Sequence, residues 1–498
     1  MRAIIYIWVP TLIFVLLFIV MFQLELISWF WLVFPCIIFC LITYDYFQIK
    51  HSIWKNYPLI GRLRMFFETI RPEFRQYFFE GELDGKPFNK RQRSIVYQRA
   101  KNEKQTVAFG MQDDPNRIGF EWLNHSIYPK KADVNSFRIN IGNHQCKQPY
   151  NASVFNISAM SYGALSKTAV SALNKGALMG NFAQNTGEGG ISDYHFLGGD
   201  LIWQIGTGYF GCRDKNGRFN ELLYVEKSRI HQVKMIELKL SQGAKPGHGG
   251  LLPASKNTPE IAKIRNVEPY TSVHSPSAHS EFSNAKELVL FLKKLRNLSK
   301  GKPIGFKLCI GKKEEFIEII EQIVATNIIP DFITIDGTEG GTGAAPLEFS
   351  DNVGMPLTEA LVFVHKSLLD YGIRDHIKII ASGKIVTSFD IVKTIALGAD
   401  AVNSARGMMF ALGCIQALDC DSGRCPVGIT TQNSMLYRGL DITDKSVRVM
   451  NYHEKTLESL AELIGAAGFE KLQEITPRNI FKRLNNNQCL SYQDIYYN

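Results

Sequence analysis

The 498-residue sequence contains no run of five or six like charges, and its 56 Lys and Arg against 47 Asp and Glu leave a net charge of only +9. An excess so small and so dispersed gives no footprint for nucleic acid, although it suits a membrane surface or an acidic partner. No Gly-x-Gly-x-x-Gly opens a helix after a strand, so a Rossmann-type dinucleotide fold has no support. Cysteine is scarce and odd in number: of nine, only Cys414, Cys420 and Cys425 cluster outside the apolar N-terminus, a pattern of a reducing compartment rather than of a disulfide framework. What is present is hydrophobic content of 45% with 21% charged residues, enough to bury a large core.

Charge is missing over two further stretches, Ala3 to Leu24 and Leu26 to Tyr44, separated by Glu25. Each approaches the roughly 20 residues that a helix needs to cross a bilayer, which predicts two transmembrane helices within residues 1–47. Arg2 precedes the first, and Lys50, His51, Lys55, Arg62 and Arg64 follow the second, so both ends are expected on the cytoplasmic side of an inner membrane. A cleaved signal peptide fits poorly: there is one basic residue, an overlong apolar core and no small-x-small site. Residues 48–150, with the basic segment KRQRSIVYQRAK (90–101), read as a connecting subdomain without a catalytic pattern.

Beyond residue 150 short β-branched runs alternate with segments of helical period. The runs include SVFNISAM (153–160), PIGFKLCI (303–310), DFITID (331–336), IKIIAS (377–382) and ADAVNS (399–404). Such alternation means βαβ units, and over this length, with glycines after most strands, it predicts an α/β fold with a closed (β/α)8 TIM barrel at 151–435. Residues 436–498 are expected to add a helical extension. Active groups of such barrels sit on loops leaving the carboxyl ends of the strands. Two late exits, IIASGK (379–384) and NSARGM (403–408), offer small residues and cations, so Gly383, Lys384 and Arg406, with Gly340 and Gly341 of GTEGGTGA (337–344), are candidates for a cofactor phosphate. The spacing Cys414-x5-Cys420-x4-Cys425, followed by Pro426, gathers soft thiolates suited to iron-sulfur or zinc. A structural zinc asks for a fourth ligand, and the nearest downstream histidine is His453, so three ligands favour an incomplete cuboidal cluster.

From about residue 151 to 432 the chain resembles the FMN-binding synthase domain of the glutamate synthase family. The strings that carry the resemblance are SAMSYGALSK (158–167), NTGEGG (185–190), QGAKPGHGG (242–250), DGTEGGTGAAP (336–346) and GCIQALDCDSGRCPVGITTQ (413–432). The resemblance implies FMN, a 3Fe-4S cluster on Cys414, Cys420 and Cys425, and an oxidoreductase acting on CH–NH2 donors. The implied reaction condenses 2-oxoglutarate with ammonia to an imine, which reduced FMN converts to glutamate; electrons arrive from ferredoxin or a reductase subunit. It also implies that Ala159, Met160 and Ser161 carry the isoalloxazine ring, and that Asn185 and Gln204 meet its edges. Lys307 then sets a cation near flavin N1 and O2. Glu188 is the implied active-site carboxylate, Lys239 and Gln242 line the next exit, and Lys245 with Arg265 forms a clamp for a dicarboxylate.

Two departures bear on substrate: His248 stands where the family usually has Glu, and Leu251 where it has Gln. The family's glutaminase domain and long C-terminal β-helix have no counterpart here, so the ammonia is expected from solution or a glutaminase partner. The closest pattern is that of short, membrane-attached members. Two alternatives are an FMN-barrel 2-hydroxy acid dehydrogenase coupled to the membrane and a non-catalytic electron-transfer subunit. The first needs a histidine base beside an arginine near the seventh strand, which IIASGKIVTS lacks.

Overall fold

The computed structural model describes residues 9–498 except 26, 27, 29, 30, 32 and 104. The chain divides after Lys90 into two compact units.

The first unit is helical: Val9–Gln23, Val33–Phe47, Ser52–Asn56, Ile60–Phe74 and a π-helical turn, Arg75–Phe79. Asp45, fully buried on the second helix, accepts bidentately from Arg62 (Nη2 2.6 Å, Nε 2.9 Å) and from the Leu59 N–H at 3.0 Å. That pair locks the second helix to the fourth.

Apolar helices stand where the two spans were expected, but no full-length span is present among the described residues. Each has 15 described residues, and each begins where a described stretch begins, at Val9 and at Val33. The first stops at Gln23 and the chain turns through Glu25, whose φ of 56° is left-handed. Among the described residues no helix is long and apolar enough to cross a membrane. Residues 3–8, 26, 27, 29, 30 and 32 of the expected spans lie outside the described residues.

The second unit is built on eight parallel strands in chain order: β1 (Phe155–Ile157), β2 (Ala183–Asn185), β3 (Asp200–Ile205), β4 (Val233–Lys239), β5 (Ile304–Leu308), β6 (Phe332–Asp336), β7 (Lys378–Ser382) and β8 (Ala401–Ser404). β8 pairs with β1, Val402 opposite Phe155 and Ser404 opposite Ile157, which closes the barrel. Every residue of β1, β2, β5, β6 and β8 is buried, and the polar ones among them, such as Asn185, Lys307 and Asp336, sit inside the barrel wall. The surrounding helices turn one stripe inward. Ala285–Leu298 buries Leu288, Val289, Phe291, Leu292 and Leu295, and Asn284 caps its first turn.

Two stretches outside the barrel differ from expectation. Residues 91–150 fold with the barrel: Glu121–Leu123 pairs antiparallel with Ile480–Asn485, and Arg138–Ile141 with Tyr150–Ser153. The C-terminal extension holds the long helix Ile442–Ala466, but it ends in a hairpin, Ile480–Asn485 with Gln488–Ser491, that forms a three-stranded sheet with Glu121–Leu123. The long helix lies across Lys167–Met179 so closely that a Cβ on Gly176 would stand 2.7 Å from Val449 Cγ1.

Candidate active site

The carboxyl ends of β2 to β6 converge on one buried carboxylate. Glu237 of β4 accepts from Asn185 Nδ2 at 2.8 Å, Gln204 Nε2 at 2.7 Å and Thr334 Oγ1 at 2.5 Å. Lys307 of β5 sits 3.3 Å from Asp336 Oδ2, which also accepts the Gly243 N–H at 2.9 Å. Burial works against the Lys307 charge, but Asp336 and Glu237 outweigh it and hold the ammonium above its ordinary value. Sequence reasoning singled out Lys307, Asn185 and Gln204 but missed Glu237, their common partner. The signal was available: a carboxylate inside VKMIELK is as anomalous as a lysine inside PIGFKL.

Above this layer the loop after β2 leans on the exit of β1. Gly187 has φ +64°, and a Cβ there would lie 2.6 Å from the Ser161 nitrogen and 2.9 Å from the Met160 carbonyl carbon. Glycine lets the loop press its backbone against Ala159–Met160–Ser161 and so fixes the next residue, Glu188. The Lys239 ammonium donates to Glu188 Oε1 at 2.8 Å and to Gln242 Oε1 at 2.6 Å. Burial pushes the Glu188 carboxyl upward, yet Lys239, Arg265 and Lys245 together bring it below its usual value, so it is ionised.

Lys245 donates to the Ala344 carbonyl at 2.9 Å; burial and the Lys239 charge lower it, partly offset by Glu188. Arg265, buried at the end of helix Pro259–Arg265, donates Nη2 to the Tyr162 carbonyl at 3.1 Å and lies over the Phe210 ring at 5.0 Å. Burial brings its guanidinium down to about 10, opposed by Glu188, and its buried Nε has no hydrogen-bond partner among the described residues. Gly163 and Gly189 leave room for it: a Cβ on either would come within 3.0 Å of Nη2. Lys239, Gln242, Lys245, Arg265 and Glu188 thus form one electrostatic group at the mouth.

The glycine-rich exits of β6, β7 and β8 meet on the other side. Arg406 donates Nη2 to the Glu339 carbonyl, and a Cβ on Gly341 would be 3.0 Å from Arg406 Nε. A Cβ on Gly340 would face the Gly337 carbonyl and Asp336, and one on Gly383 would lie 3.4 Å from the Gly337 nitrogen. Gly383 (φ +150°) and Lys384 (φ +55°) turn the chain out of β7. Burial brings Arg406 down to about 10, with Asp336 and Glu339 opposing.

The cysteine loop follows helix Arg406–Leu412. Cys425 is buried, Cys414 and Cys420 are half-buried, and all three are free thiols. Tyr97 donates to the Cys414 carbonyl at 2.6 Å, and the buried Lys256 ammonium donates to the Cys420 carbonyl at 2.6 Å and the Thr430 carbonyl at 3.0 Å. Gln432 Nε2 donates to the Gly163 and Leu165 carbonyls, tying the far end of this loop to the exit of β1. Among the described residues no three His, Cys, Asp or Glu side chains converge on a single metal ion. His453 takes no part here: it bonds Ser153 Oγ at 3.0 Å and stacks on Phe182 at 3.9 Å.

Residues 90–470 match the family model described as the conserved region in glutamate synthase. The chain belongs to the glutamate synthase family. It is 38% identical over 492 residues to the glutamate synthase large subunit-like protein YerD of Bacillus subtilis, covering 90% of this chain and 93% of that one. To an archaeal glutamate synthase (NADPH) of Methanocaldococcus jannaschii it is 34% identical over 364 residues, 72% of this chain and 67% of that one. The large chain of the Bacillus subtilis glutamate synthase (NADPH) is 31% identical over 331 residues, which is 65% of this chain but 20% of its own length. Membership makes the chain an oxidoreductase acting on CH–NH2 donors, of a family that uses FMN and iron-sulfur groups.

Proposed function

We propose that this glutamate synthase family member aminates 2-oxoglutarate reductively to glutamate, with FMN in the barrel mouth and a 3Fe-4S cluster on Cys414, Cys420 and Cys425. The observation that carries the reading is the ionised Glu188 held by Lys239 and Gln242, with Lys245 and Arg265 in the same field. The residues present suit both groups. For the flavin there is a buried cation, Lys307, below the mouth, and Lys384 and Arg406 stand at glycine exits where a phosphate fits. Asn403 Oδ1 on β8 is buried without a partner among the described residues, as a group awaiting a donor is. The thiols suit a cluster better than a single ion, because each thiolate of a cuboidal cluster binds a different iron and the three sulfurs need not converge.

When bound, FMN supplies the hydride and the cluster passes electrons to it one at a time. Arg265 and Lys245 neutralise and orient the two carboxylates of the substrate. Ammonia adds to the 2-oxo carbon and the oxygen leaves as water, which takes two protons from nitrogen to oxygen and leaves the imine; in each transfer Glu188 would accept a proton from the nitrogen while Lys239 Nζ, next to it, gives one to the oxygen and is reprotonated by Glu188. Glu237 holds the amides of Asn185 and Gln204 in one orientation, in which they would meet the edges of a bound flavin ring.

Ammonia comes from solution or a glutaminase partner, and electrons from ferredoxin or a reductase subunit; the names of the archaeal relatives, glutamate synthase (NADPH), point to NADPH as the electrons' ultimate source. The uncharged N-terminal stretches and the basic residues after them support attachment to the cytoplasmic membrane, with the second unit in the cytoplasm. The test is an anaerobic absorbance and EPR titration of the solubilised full chain. Flavin and 3Fe-4S signals are expected, with reoxidation of the dithionite-reduced flavin by 2-oxoglutarate only when ammonium is present. Absence of flavin, or reoxidation indifferent to ammonium, overturns the reading.

A further inference from the structure

The segment that follows the two apolar helices has three distinct faces. Along Ile60–Phe74 and the π-helical turn after it, Ile60, Leu63, Phe67, Phe74 and Phe78 are spaced by three, four, seven and four residues, with Phe66 and Tyr77 beside them, so they share one side of the helix. All are exposed, Phe67 by 61% and Phe78 by 74%. The opposite side packs at its first turn: Gly61 is buried, a Cβ on it would stand 3.0 Å from the Ile53 carbonyl, and Arg62 reaches the Asp45 carboxylate at 2.6 Å, whereas Thr69, Pro72, Glu73 and Phe79 farther along are exposed. Arg64, Arg71 and Arg75, spaced seven and four residues apart, run along one border of the apolar stripe.

A contiguous exposed row of aromatic and aliphatic side chains is a binding surface, because water does not tolerate it at this size. Its occupant is indicated by charge. Between residues 48 and 79 there are six Lys and Arg against two Glu, and the arginines lie where long side chains can keep their heads in a polar layer while their stems follow the apolar face. Apolar on one side, basic at the border and low in overall hydrophobicity is the pattern of a helix lying in a membrane interface rather than across it. The exposed Leu, Ile and Phe side chains of Val9–Gln23 and Val33–Phe47, which precede it, belong to the same apolar environment. The Asp45–Arg62 pair fixes the segment's rotation, so the stripe cannot roll away from whatever those helices enter.

We infer that residues 60–79 lie in the headgroup plane of an anionic bilayer, with the Phe67, Phe74 and Phe78 side chains among the acyl chains and Arg64, Arg71 and Arg75 on lipid phosphates. This deepens the membrane attachment proposed above and is independent of the reaction.

The full chain, reconstituted into vesicles of phosphatidylcholine alone or with about one third phosphatidylglycerol, is floated and then digested briefly with trypsin. Cleavage after Arg64 and Arg75 is followed by mass spectrometry, and cleavage after the exposed Lys312 of the second unit serves as the reference. Cleavage at the two arginines is expected to be at least tenfold slower in the anionic vesicles, with Lys312 unchanged. The triple variant Phe67→Ser, Phe74→Ser and Phe78→Ser, all at exposed positions, is expected to lose that protection while still floating. A chain that floats but is cut equally fast in both vesicles and in detergent overturns the inference and leaves the attachment standing; the stripe then faces a protein. Equal protection in both vesicles overturns the anionic preference, and a chain that floats with neither overturns inference and attachment together.

Discussion

At the residue scale the mouth of the barrel is governed by charges that stay charged because they are paired. Glu188→Gln keeps shape and hydrogen-bonding capacity but removes the negative charge, so ammonium-dependent turnover is expected to fall about 10²- to 10⁴-fold; steady-state kinetics with retained flavin absorbance checks this. The same pair has a pH signature. The Glu188 carboxyl is depressed in the folded protein, so its contribution is fully present above the unfolded value of about 4.3 and is lost as pH falls through the lower folded value. Urea unfolding of wild type and Glu188→Gln between pH 3 and 6, a range set around that value, is expected to converge at the acid end. Glu237 carries a different expectation. Glu237→Ala leaves Asn185, Gln204 and Thr334 without their acceptor, and the loss of a buried partner costs about 3–5 kcal/mol, read from denaturant midpoints. Its importance was hidden in the sequence because a strand residue's neighbours come from other strands; β2, β3 and β6 supply all three donors.

At the element scale glycines decide how near the loops come. Gly187→Ala forces a Cβ against the Ser161 nitrogen at a left-handed position and is expected to cost about 1–3 kcal/mol and to lower flavin content, measured by absorbance per chain. Gly176→Val, placed where Lys167–Met179 crosses the long C-terminal helix, is expected to lower Tm with little change in turnover per folded molecule, an overpacking cost of about 1–3 kcal/mol. Five strands, β1 and β5 to β8, were legible in the sequence because burial on both faces favours short runs rich in apolar residues, as in PIGFKL and DFITID, whereas β2 to β4, of which β2 is Ala-Gln-Asn, were not singled out. The hairpin after Pro477 was not: Ile480–Asn485 and Gln488–Ser491 mix exposed and buried positions, and their partner Glu121–Leu123 has only three residues. The absence of charge in 3–24 and 26–44 showed where the two apolar helices end: the break at Glu25 follows the end of the first at Gln23, and the second ends at Phe47.

At the scale of the whole molecule the division after Lys90 has a thermodynamic consequence. Two units that each carry their own contacts are expected to unfold in separate transitions, so calorimetry of the solubilised chain should resolve two endotherms, only the second of which shifts when FMN is added. The candidate site lies wholly in the second unit, and most of its members were legible because they sit at strand exits, where a barrel concentrates function. Residues 91–150 belong to the second unit: Glu121–Leu123 pairs with the C-terminal strand Ile480–Asn485, and Arg138–Ile141 with Tyr150–Ser153.

That last arrangement constrains biosynthesis. Trp122 pairs with Phe481, some 360 residues later. At about 5–20 residues per second of translation the early strand leaves the ribosome roughly 20–70 s before its mate exists. Through that interval a hydrogen-bonding edge stands open on a nascent chain, which makes the final two dozen residues the latch that ends its exposure to chaperones and to other copies of itself.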